Sequence, residues 1–125
     1  MSDVSNREFA PRGPVEVAHF LDAKAQELDQ LNTLLQNAHE TAEAAEEAWT
    51  THYDEILEQL EEESENGRLP GEDMRISIAR RRDGAAAWTN HRRAERLVKK
   101  LEKRGRLIET AISACQSEAK LLRAA

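Results

Sequence analysis

Four histidines, one cysteine and a crowd of arginines and lysines are the side chains here with chemistry to offer. His19, His39, His52 and His91 are scattered, whereas helical metal motifs place their ligands three or four residues apart. His52-Tyr53-Asp54-Glu55 matches no zinc motif, and a packed histidine is the plain reading of His52 and His91. Cys115 has no second cysteine to bond, and its apolar neighbours read as those of a buried structural thiol. Gly67 and Gly71 lack the Lys-Ser/Thr that follows the glycines of a phosphate loop. The expectation is a protein that is not an enzyme and uses no cofactor and no metal.

The cations offer more. Arg80, Arg81 and Arg82, then Arg92, Arg93, Arg96, Lys99, Lys100, Lys103 and Arg106, form a dense basic series. At helical spacing such a series follows a phosphate backbone by charge alone. A merely solvated face is the plainer alternative.

Heptads position these residues. Small or apolar side chains recur at steps of four and three through Ala94, Val98, Leu101, Gly105, Ile108, Ile112, Cys115, Ala119 and Leu122, a coiled-coil seam. A matching seam runs through Val17, Leu21, Lys24, Leu28, Leu31, Leu35, Ala38, Ala42, Ala45, Trp49, His52 and Ile56. With 4% aromatic and 34% charged residues in 125, the composition also fits long helices. The chain divides into a flexible leader over 1–13, an acidic helix over 14–64, a turn over 65–71 and a second helix over 72–123. Pro14 suits a first helical turn. Asn66, Gly67, Pro70 and Gly71 make the turn. Gly84 and Gly105 each cost about 1 kcal/mol in a helix interior, too little to break it.

The expected fold class is therefore all-α, a long antiparallel two-helix coiled-coil hairpin forming a single domain. Its register opposes Trp49 with Ala87, His52 with Gly84, Leu31 with Gly105 and Leu21 with Cys115, so that bulky residues meet small ones. Arg80 falls opposite Ile56, its stem packed and its head reaching out to water.

Charge is divided between the helices. Residues 14–64 sum to −13 and 72–125 to +7, within a total of −6. Yet the basic ridge lies on outward positions of the second helix, and Glu95, Glu102 and Glu109 flank its seam. Arg104 is the main candidate for a pair with the first helix. The acidic run Glu61–Glu65 opposes the helix dipole, so fraying is expected there. A second apolar stripe, Phe20, Ala23 and Leu34 with Leu97, Leu107, Ala111, Ala114 and Leu121, predicts docking of two hairpins as a four-helix or larger bundle. An exposed Trp88 beside Arg92 would be a further partner contact.

Ala48-Trp49 with Tyr53, the Gly67–Glu72 turn, Ala85-Ala86-Ala87-Trp88 and Ile112–Ser117 together resemble a group of small helical-hairpin accessory proteins of actinobacterial phages. These are often encoded near recombination or replication genes. The resemblance implies a viral accessory protein that acts by binding inside the bacterial cell.

The resulting expectation is a non-enzymatic, self-associating interaction or scaffold protein whose first partner is itself, in a dimer or higher oligomer. The alternatives are a nucleic-acid-binding accessory factor using the basic ridge, and an inhibitor of a host protein whose acidic helix mimics nucleic acid. No apolar run reaches the roughly 18 residues of a membrane span, and 1–13 shows no signal-peptide core. One cysteine fits a reducing compartment, so a cytoplasmic protein is expected (host cytoplasm if viral).

Overall fold

A computed structural model of the chain describes residues 13–82 and 86–124, and every regular element among them is α-helical. Helix α1 spans Pro14–Glu63, α2 Glu72–Arg81 and α3 Ala86–Ala124. Residues 1–12 of the expected leader lie outside the described residues. So does Gly84, with its expected place opposite His52.

Local chemistry accounts for the ends of α1. Pro14 takes the first position, where its missing N–H costs nothing, and the Val17 N–H donates to the Gly13 carbonyl at 2.9 Å. At the other end the Ser64 hydroxyl donates to the Arg68 carbonyl at 3.1 Å. Gly67 then turns the chain with φ +66°, a left-handed conformation that glycine adopts without a Cβ penalty. Helix α2 follows Gly71, whose carbonyl accepts from the Arg75 N–H at 3.0 Å.

The single second helix expected over 72–123 is two helices. Helix α2 stops at Arg81, and Arg82 is extended at φ −76° and ψ 142°, its N–H donating to the Ile78 carbonyl. The stop immediately precedes Asp83-Gly84, a dipeptide type that punctuates helices. Weighing Gly84 only as a propensity cost overlooked this partnership with its neighbour.

Two compact units make up the chain, Met1–Leu34 with Leu101–Ala125, and Leu35–Lys100. In the first, Val17, Leu31, Ile108 and Cys115 are buried. Leu21, Lys24, Leu28, Leu101, Gly105, Ile112 and Ala119 are partly buried. Leu122 departs from the expected seam, at 46% exposed. A Cβ built on Gly105 would lie 3.3 Å from Leu31 Cδ2, so the glycine sits where the leucine needs room.

In the second unit Ala38, Ala94 and Val98 are buried, as are Ile56, Leu60 and Ala79. The last three form a cluster on which Trp49, Tyr53, Leu69 and Ile78 pack. Here the expected register fails. Ala79, at 0% exposure, occupies the core beside Ile56, while Arg80 is exposed. The phase of α3 cannot be extended backward through the break, because α2 is a separate helix free to choose its own inward face.

Candidate functional site

Two surfaces gather the residues of functional interest, one in each unit. That of the first unit is apolar. Phe20 on α1 and Leu107, Ala111, Ala114 and Leu121 on α3 line an open groove of about 850 Å³. Leu107 is 63% exposed and Leu121 73%. The rim is polar and carries both signs, since Glu27 pairs with Lys24 at 3.2 Å and with Arg104 at 3.7 Å. Arg104 thus makes the contact with the first helix that its heptad position predicts. Of the other residues in the expected apolar stripe, Ala23 and Leu34 belong to this unit but do not line the groove. Leu97 belongs to the second unit, where it is exposed.

The surface of the second unit is cationic and is built on aromatic rings. Trp49 and Trp88 meet edge to face with centroids 4.9 Å apart. His52 and Tyr53 each lie 6.0 Å from Trp49, and His91 lies 6.2 Å from Trp88. The two indoles therefore stand between His52 and His91. Edge-to-face rings gain about 0.5–1.5 kcal/mol beyond burial, which holds Trp88 in place for the cations above it. The Arg80 guanidinium carbon stands 4.7 Å from the Trp88 ring centroid and that of Arg92 5.6 Å. Together with Thr89, Arg93 and Arg96 they line a depression of about 520 Å³.

The expected outward basic ridge divides by partner. Arg92 pairs with Glu95 at 3.5 Å, and Glu95 also accepts from His91 at 2.7 Å. That acceptor fixes a proton on His91 Nε2. Arg81 donates to the Ser77 carbonyl and hydroxyl on its own helix. Arg93, Arg96, Lys99, Lys100, Lys103 and Arg106 are exposed, and no ion pair among the described residues engages them.

Arg82 does not belong to the free ridge. Its guanidinium grips Glu63 with both terminal nitrogens, at 3.0 and 3.2 Å, and reaches Gln59 at 3.1 Å. The hydrogen bond and charge of Arg82 hold the Glu63 carboxyl below its usual value, although the group is exposed. Sequence reasoning saw only an acidic helix end prone to fray. The missing cation comes from Arg82, the residue that immediately follows α2.

Among the described residues no group of three or more His, Cys, Asp or Glu side chains could hold a metal ion. Nor is any described helix long and apolar enough to cross a membrane. No family model, curated protein or solved structure matches the chain.

Proposed function

We propose that the protein is a non-enzymatic, self-associating interaction module. Each copy folds on the α1/α3 seam as an antiparallel coiled-coil hairpin, and a second copy docks on the groove of the first unit to form a four-helix bundle. The observation that carries this reading is the exposure of Leu107 and Leu121 on one apolar groove. Large contiguous apolar surface in water marks a binding face. A second copy is the occupant that suits the rim, because an isologous contact is self-complementary and pairs best when both signs of charge flank an apolar centre. Its resemblance to phage accessory proteins would place such a module in a recombination or replication cassette.

Mixing two differently tagged copies and purifying through one tag tests the reading. Recovery of the second tag, lost when Leu107→Glu is present in both copies, is the expected outcome. Recovery of one tag only would contradict it.

A further inference from the structure

We propose that Arg80, Arg93 and Arg96, with Lys99 and Lys100, form a binding site in the second unit for the phosphate backbone of nucleic acid. This goes beyond self-association and uses none of the groove residues of the first unit.

The site is already organised. Arg80 rests over the Trp88 ring, which restricts a long side chain that binding would otherwise have to order. Planar guanidinium groups match phosphate oxygens with paired donors. Arg93, Arg96 and Lys100 succeed one another on α3 at steps of three and four, so they share one side of the helix. From Arg93 to Lys100 the stripe runs about 10 Å at 1.5 Å per residue, roughly the axial rise of three phosphates of one strand.

The total charge of −6 does not cancel this site. Of the acidic side chains in the same unit, Glu43, Glu46 and Glu47 stand on another surface with Thr50 and Thr51, and Glu95 is engaged by His91 and Arg92. The surface of Glu43, Glu46 and Glu47 shares no residue with the arginine cluster. A carboxylate-bearing protein fits less well. Protein interfaces centre on apolar anchors, and the one aromatic here is half-buried beneath Arg80 and Arg92. With its ring engaged, Trp88 orients cations rather than stacking on bases, so recognition follows charge and not sequence.

The test is anisotropy of a short, labelled, mixed-sequence DNA duplex titrated with the full chain at several salt concentrations. Four or five neutralised phosphates predict a slope of log K against log salt of about −4. Arg93→Glu with Arg96→Glu should weaken binding at least about tenfold and flatten the slope by about 2, while circular dichroism shows unchanged helix. The corresponding pair of lysine substitutions should restore the slope. Three results would overturn the proposal: no binding at low salt, binding indifferent to the glutamate pair, or displacement by polyglutamate as efficient as by unlabelled duplex at equal charge.

Discussion

His52 Nε2 lies 2.8 Å from the carbonyl oxygen of Ala79, tying α1 to the last turn of α2. A carbonyl only accepts, so the histidine must carry its proton on Nε2. The final carbonyls of a helix have no partner within it. The break after Arg81 therefore creates the acceptor that His52 satisfies. His52→Phe keeps a ring beside Trp49 but removes the donor, and should cost about 1–3 kcal/mol. Urea unfolding measures the loss, and amide exchange should speed up first in α2. Wild-type protection of α2 in the variant would show that the bond contributes nothing.

The Arg82–Glu63 contact predicts a dependence on pH. Its folded carboxyl titrates below the usual value of 4.5, so the unfolded chain binds the proton more readily. The stabilisation is thus fully present above about pH 4.5 and is lost as pH falls through the lowered folded value. Exposure of the carboxylate to solvent keeps the effect small. Carboxyl NMR should find Glu63 titrating below the usual value of 4.5, and Arg82→Ala should raise it toward that value. An unchanged Glu63 titration in that variant would refute the contact.

Gly105 tests how α1 packs on α3. Alanine would gain about 1 kcal/mol of helix propensity but push Leu31 Cδ2 from a 3.3 Å approach, and the two effects should nearly cancel. Gly105→Val adds two branches beside the Leu31 contact and should destabilise by about 1–3 kcal/mol. Thermal melts of both variants decide it; a valine variant as stable as wild type would mean that Leu31 does not lie over this glycine.

Much of this architecture is legible in residue spacing. All twelve seam positions from Val17 to Ile56 are buried or partly buried, as are eight of the nine from Ala94 to Leu122. A heptad is a local rule repeated, and within one unbroken helix it keeps its residues close to one face, with a drift of only about 20° per heptad even when the helix is straight. The same rule failed at Arg80 because phase does not survive a break. Beyond Ile56, where the expected seam ends, Leu60 is buried and Gln59 meets Arg82. The aromatic chain joining Tyr53, Trp49, Trp88 and His91 depends on rotamers and on contacts between helices, which spacing does not encode. Phe20, Leu107, Ala111, Ala114 and Leu121 were legible as one stripe because they share helical faces, and Leu97 falls outside that cluster in the sequence as well.

Self-association is the central claim, and sedimentation equilibrium of the full chain over a wide concentration range tests it most directly. The account predicts a mass above the 14.1 kDa of one chain that rises with concentration. Leu107→Glu with Leu121→Glu should return it to that of one chain without loss of helix. A wild-type mass of one chain at every concentration would contradict it.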